Sequence, residues 1–342
     1  MDELTGRGKQ ILEALIEEYI TTAEPVGSRT ITRRQVVSLS PATVRNVMAD
    51  LEELGFLASP HTSAGRIPTD KAYRFYVDSL LEARRMAFDE AEMRQRFNFH
   101  PRDLGASLQE ASRLLSSLSH YVGVVVAPSM SANVFRQIEF VRLGGRRLLV
   151  ILVAASGAVQ NRLVELEQDI PPADLVRMAN YLNEQLQGLT IAQVKRRLME
   201  EMAGDKARYD ELLAQAIVVS QQALADEEAQ IFIEGQANIL EQPEFADIGR
   251  MRELFRAFEE KSQLVGLLDS CLQASGVQIF IGAESHLNQM AGMSVITAPY
   301  RTGKDTFGVL GVIGPTRMGY AKVIPIVDYT ARLISKMLES SD

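Results

Sequence analysis

Leu39 to Leu54 reads LSPATVRNVMADLEEL. Serine at 40 can accept the free amide hydrogens of a first helical turn. Proline at 41 is tolerated at the first helical position, where its missing N–H would have had no partner. The helix opened there is expected to run to Leu54 and stop at Gly55, a residue suited to the left-handed C-terminal conformation. Val44, Val47, Met48, Leu51 and Leu54 follow three-and-four spacing and predict one buried stripe. The opposite face opens with Thr43, Arg45 and Asn46, and carries Asp50, Glu52 and Glu53 only later.

Working outward, Ile11, Leu12, Leu15, Ile16, Tyr19 and Ile20 recur with helical spacing and predict a first helix, ended by Pro25 and Gly27. Ser28 is a candidate N-cap for a short second helix over 29–36. Beyond Gly55 the chain reads Phe56-Leu57 and then SPHTSAGRIPT. That predicts strand, loop and strand, followed by a helix from about Asp70 to Arg85 capped by Thr69. Three helices followed by a β hairpin make a winged helix-turn-helix. Pattern alone also fits a generic small helical domain.

A recognition helix enters the major groove N-terminus first, so its early exposed residues should be short or planar donors able to reach base edges. Thr43, Arg45 and Asn46 meet that description, with the helix start at Ser40 aimed at phosphate. Arginine can fork onto guanine, asparagine can pair adenine, and threonine can donate or touch a thymine methyl. Arg29, Arg33 and Arg34 are candidates for holding phosphates and setting register without reading sequence. His61, Ser63 and Arg66, on the expected wing, are candidates for a flanking groove or the backbone. The plain alternative for each arginine is a solvated surface charge.

Composition first points the other way. The 342 residues are 46% hydrophobic and 23% charged, with 36 basic against 44 acidic side chains, a net of −8. That excludes a chain coating nucleic acid or anionic lipid with its whole surface. The charge is uneven, however. Residues 1 to 85 hold 11 basic and 12 acidic residues, and Pro25 to Ala49 contains Arg29, Arg33, Arg34 and Arg45 with no acid. Leu54 to Thr69, also free of acids, contains Arg66. A folded version can therefore turn one face positive while its back stays acidic.

The single cysteine, Cys271, cannot form an internal disulfide, and acids interrupt the apolar residues of ILEALIEEYI as no signal-peptide core would allow. A reduced, cytoplasmic protein is expected. The longest apolar stretch, Leu148 to Val159, is broken by Ser156 and Gly157 and falls far short of the roughly twenty residues that span a bilayer. No membrane partner is expected.

Beyond residue 100 the texture becomes α+β. A helix over 105–118 precedes Val- and Ile-rich strands at 121–127, 135–143, 147–154 and 160–166, expected to form an antiparallel meander. Strands return at 277–282, 293–299 and 306–314, and a helix closes the chain over about 320–338. Between these blocks lies mostly amphipathic helix. One β block split by a helical insertion is the plan, with the insertion either a subunit interface or simply packed on the host sheet. The expected division is a winged-helix domain at 1–86, a linker helix at 87–104, an α+β domain at 105–190 and 266–342, and an insert at 191–265.

Enzyme chemistry is thin. His61, His100, His120 and His286 lack HExxH spacing, and one cysteine makes no zinc constellation. GVLGVIGP, Gly308 to Pro315, reads as strand and turn rather than dinucleotide binding. Gly303-Lys304 lacks the rest of a phosphate loop, and Glu200/Glu201 and Glu227/Glu228 read as solvated faces. No metal, cofactor or catalytic activity is expected.

LSPATVRNVMADLEEL and SPHTSAGRIPTDKAYRFYV, Ser59 to Val77, closely resemble the N-terminal domain of the HrcA family of bacterial heat-inducible transcription repressors. IFIEGQANILEQPEF at Ile231 to Phe245 and GVLGVIGPTRMGYAKVIPIVDYTARLIS at Gly308 to Ser335 resemble later blocks of the same family, in family order. The resemblance implies a homodimeric repressor binding an inverted-repeat operator, called CIRCE, ahead of GroE- and DnaK-class chaperone operons. It also implies a winged helix followed by a GAF-like domain carrying a dimerising insert, and a chaperonin that modulates the active form. Ala283, in IFIGAESH, departs from the second glycine expected there and bears on a turn. Two competing readings remain: a metabolite-responsive winged-helix regulator, and an enzyme with an appended DNA-binding module.

Overall fold

A computed structural model describes residues 4–33, 39–61, 65–83, 104–127, 134–155, 159–166, 169–191, 193–194, 196–197, 218–220, 230–259, 261–269, 271–272, 274, 276–285, 292–302 and 305–339. Met1–Ala127 together with Ile231–Asp342 forms one compact unit, and Pro128–Gln230 a second.

The first unit opens with α1 (Gly6–Thr22), α2 (Ser28–Arg33) and α3 (Pro41–Glu53). α1 is capped by Thr5, whose side chain accepts the Gly8 amide at 3.1 Å. It stops not at Pro25 but at Ala23, which takes the left-handed conformation and returns its N–H to the Tyr19 carbonyl. α2 begins one residue earlier than expected. The Gly27 carbonyl accepts from Thr30 and Ile31, so Ser28 sits inside the helix and is buried. Residues 34–36, and with them Arg34, lie outside the described residues.

The hairpin is short: β1 (Leu57–Ala58) pairs antiparallel with β2 (Ile67–Pro68). α4 (Asp70–Ala83) follows, with the Thr69 side chain accepting from the Ala72 amide at 3.4 Å and donating to the Gly55 and Phe56 carbonyls at 2.8 and 3.1 Å. Most of the expected linker helix at 87–104 lies outside the described residues. Leu104 already opens α5 (Leu104–Ser119).

The second half of this unit is a five-stranded antiparallel sheet. Its order is β7 (Ile231–Glu234), β3 (Val122–Val126), β10 (Asp305–Pro315), β9 (Met293–Thr302) and β8 (Gln278–Ile281). GVLGVIGP is thus central strand. Its glycines bring neighbours close and cradle no phosphate. α5 and α9 (Tyr320–Glu339) pack on the face carrying Val125, Ile296, Ala298, Tyr300, Leu310 and Val312. Val122, Val124, Val295, Val309 and Ile313 on the other face are equally buried, which explains the unbroken apolar runs. α7 (Ile248–Glu259) and α8 (Lys261–Asp269) complete this unit and bury Leu254, Phe258, Leu264 and Leu268.

Gly123 is required by that packing. A Cβ there would run into the Ser112 carbonyl of α5 and come within 3.0 Å of the Ser116 amide nitrogen, both backbone that cannot step aside. Gly123→Ala should therefore cost about 1–3 kcal/mol through overpacking. A thermal melt should move down by several degrees, and an unchanged melting temperature would show that the helix can shift away.

In the second unit, β4 (Phe135–Gly144), β5 (Arg147–Ala154) and β6 (Val159–Glu165) form their own antiparallel sheet. Here the structure departs from the four-strand meander. β3 leaves it to pair with β7 and β10, and only the last three strands stay together. The segment separating the halves of the five-stranded sheet accordingly begins at Pro128 rather than 191. It ends at Gln230 rather than 265, because Ile231–Glu234 pairs with β3. α6 (Pro172–Leu186) covers one face of the small sheet with Leu175, Met178 and Leu182 against Ile138, Leu148, Val150, Leu152 and Val164.

Candidate nucleic-acid interface

The start of α3 is built as its sequence dictates. Ser40 Oγ accepts the Thr43 amide at 3.1 Å, its hydroxyl pairs with the Thr43 hydroxyl at 2.9 Å, and its carbonyl accepts from Val44 at 3.0 Å. Val44, Met48 and Leu51 turn into the core against α1, and Val47 is half-buried. Leu54, predicted to share that stripe, is 39% exposed. The helix ends at Glu53, so Leu54 is the capping residue and points outward, with Gly55 at φ +79° behind it. Ser40→Ala should remove about 1 kcal/mol of stability through loss of the cap, visible as a lower denaturant midpoint with an unchanged slope.

Thr43, Arg45 and Asn46 all lie exposed, opposite the buried stripe. Arg29 and Arg33 are exposed on α2, and His61 is exposed at the described edge of the wing. The structure thus brings Arg29, Arg33, Ser40, Thr43, Arg45 and Asn46 onto one helix-turn-helix. Ser63 lies outside the described residues.

Arg66 behaves differently from the others. Its guanidinium pairs with Glu52 of α3 at 2.7 Å, and its backbone exchanges two 2.9 Å hydrogen bonds with Val26. It therefore ties the root of the wing to the end of α3 and to the segment before α2. To reach a phosphate it would have to leave Glu52. Lys71 was not singled out by sequence, yet it donates to the Leu54 carbonyl at 3.0 Å and lies 4.4 Å from the Phe56 ring centroid. A cation placed on the C-terminal carbonyls of a helix is favourable for the helix dipole. Neither contact has a local signal, because the partners lie 14 and 17 residues apart across the hairpin.

Among the described residues no group of three or more His, Cys, Asp or Glu side chains is placed to hold a metal, and no helix is long and apolar enough to cross a membrane. Short and planar polar donors along one helix, flanked by arginines, are suited to a polyanion.

A family model described as the winged helix-turn-helix transcription repressor, HrcA DNA-binding, matches residues 3–79, and one described as the HrcA protein C terminal domain matches residues 106–324. The curated heat-inducible transcription repressor HrcA of Geobacter sulfurreducens is 67% identical over 340 residues, covering 99% of each chain. That of Syntrophobacter fumaroxidans is 45% identical over 343 residues, again 99% of each. A crystal structure described as that of a hypothetical protein matches with a TM-score of 0.65 at 21% identity, covering 99% of this chain and 100% of that one. At that identity the likeness concerns the fold.

Proposed function

This chain belongs to the HrcA family of heat-inducible transcription repressors, and from that premise we propose that it acts as a cytoplasmic homodimer that seats two copies of α3 in the half-sites of an inverted-repeat, CIRCE-type operator. It is a transcription repressor with a DNA-binding winged helix, not an enzyme. The genes controlled are chaperone operons of the GroE and DnaK class, and a chaperonin modulates the active form, as the family resemblance implies.

The observation that carries this reading is the exposed Thr43, Arg45 and Asn46 face of a Ser40-capped helix whose other face is buried. On it, Arg45 and Asn46 read base edges and Thr43 assists. The start of α3 at Ser40 meets phosphate, Arg29 and Arg33 hold flanking phosphates, and His61 with Ser63 carries the wing to the neighbouring groove or backbone. Arg66 supports the wing from beneath.

Support for a dimer comes from the second unit. The face of its sheet opposite α6 carries two apolar rows. Val141, Leu149 and Leu163 stand side by side, as do Val153 and Val159. Leu163 is 56% and Val159 60% exposed. A face of this kind suits an isologous contact, in which the same patch on two copies meets itself. The residues then divide into a DNA-binding head at 1–86, a GAF-like domain and a dimerising insert.

The deciding experiment is a mobility shift on an inverted-repeat chaperone operator with and without chaperonin. Binding that is lost on a scrambled repeat is expected. No binding at low salt under either condition would overturn the reading.

A further inference from the structure

The winged helix does not hang from the sheet domain on its linker alone. Its core and that of the five-stranded sheet form one continuous cluster, in which Tyr73 of α4 lies beside Tyr320 of α9 with ring centroids 6.0 Å apart. On the rim of that contact the first turns of α4 meet the turn that follows β8. Asp70 accepts the Ala283 amide at 3.2 Å. One turn on, Arg74 donates to Glu284 through both Nε, at 3.0 Å, and Nη2, and to the Ile279 carbonyl at 2.6 Å. Glu284 closes the set by accepting the Ile281 amide at 2.9 Å.

This turn is shaped for its partner. Gly282 has φ +54°, and a Cβ there would collide with the Asp70 carboxylate. Only Gly282 in the turn needs the left-handed region. Ala283 is accommodated without it and contributes just its N–H, so its departure from the expected glycine leaves the turn intact. Burial raises the pKa of the Glu284 carboxyl, but the hydrogen bonds from Arg74 and Ile281 outweigh that and hold it below the ordinary carboxylate range. The carboxylate is therefore charged, and a bidentate guanidinium pair fixes orientation as well as distance. An apolar contact is non-directional and lets a helix slide or rotate. Three directional bonds on one turn remove that freedom.

We propose that Asp70, Arg74 and Glu284 are positioning residues for operator binding: they lock the orientation of the winged helix on the sheet domain, so that two heads in a dimer present α3 at a fixed separation. This rests on the dimeric reading above. The lock acts on the second half-site, whose capture depends on the geometry linking the heads, and leaves a single head's affinity alone.

The test uses the full chain with Arg74→Ala, Glu284→Gln and the double variant, titrated against the complete inverted repeat and an isolated half-site. Each single variant should lose about tenfold or more on the complete repeat while staying within about twofold on the half-site, and the double variant should be no worse than Arg74→Ala, because both break one device. Sedimentation should show an unchanged dimer. Equal losses on both DNAs, additive losses in the double variant, or tighter binding to the complete repeat would each overturn the proposal. So would unchanged binding by variants of a wild type that prefers the complete repeat. A wild type that sediments as a monomer, or binds half-site and repeat alike, would overturn the dimeric reading itself and the lock with it.

Discussion

Leu163→Glu should convert the protein to monomers and lower its affinity for a complete inverted repeat by roughly 10²- to 10⁴-fold, the range by which linking two binding modules exceeds either one alone. Leu163 is 56% exposed in the single chain and stands in the row Val141, Leu149, Leu163. A carboxylate there costs the monomer little, yet placed across a two-fold axis it would bury two like charges without partners, at several kcal/mol each. Because the opposite face of the same sheet holds Ile138, Leu148, Val150, Leu152 and Val164 against α6, the fold of this unit should survive. Circular dichroism should be unchanged while sedimentation shows half the mass. A variant that remains dimeric, or a monomer that still binds the repeat as tightly as the parent, would remove this face from the assembly.

Arg45→Ala should abolish discrimination at one base pair of each half-site. A bidentate arginine contact contributes about 1–3 kcal/mol of discrimination, so a dimer losing two such contacts should lose about 2–6 kcal/mol on the operator and much less on scrambled DNA. Arg33→Ala should behave in the opposite way. Arg33 is exposed at the end of α2. Its loss should weaken all sequences alike and reduce the steepness of the salt dependence by about one per phosphate contact removed. Titrations of both variants at several salt concentrations separate the roles. Equal losses on operator and scrambled DNA for both variants would show that neither residue reads sequence.

What the sequence made legible is what local chemistry determines. Ser40-Pro41 and Gly55 bracket α3 because a cap, a first-turn proline and a left-handed exit each act within four residues, and the resulting helix exposes Thr43, Arg45 and Asn46 as the pattern requires. Leu54 falls one position beyond the helix, since apolar spacing carries no information about where the last helical hydrogen bond is made. Arg66 reads as another free cation because Glu52, its partner, becomes a neighbour only when the hairpin closes. The sheets show the same limit on a larger scale. Strands adjacent in sequence suggest a meander, but β3 is buried throughout and is paired along its two edges by β7 and β10, more than one hundred residues away. Ala283, where a glycine is expected, draws attention to the turn after β8, whereas the turn's contact with Asp70 joins residues more than two hundred positions apart.

The position of β3 in the sheet also governs the order in which the protein can be made. VGVVV leaves the ribosome early, but its central partner β10 follows about 180 residues later, roughly 10 to 40 s at ordinary rates of synthesis. Until then β3 has only α5 behind it and, once Ile231–Glu234 is made, β7 along one edge, and the segment carrying the small second sheet must be accommodated meanwhile. The sheet's central pairing is thus among the last to form, and the free edge of β3 stays unpaired until β10 arrives.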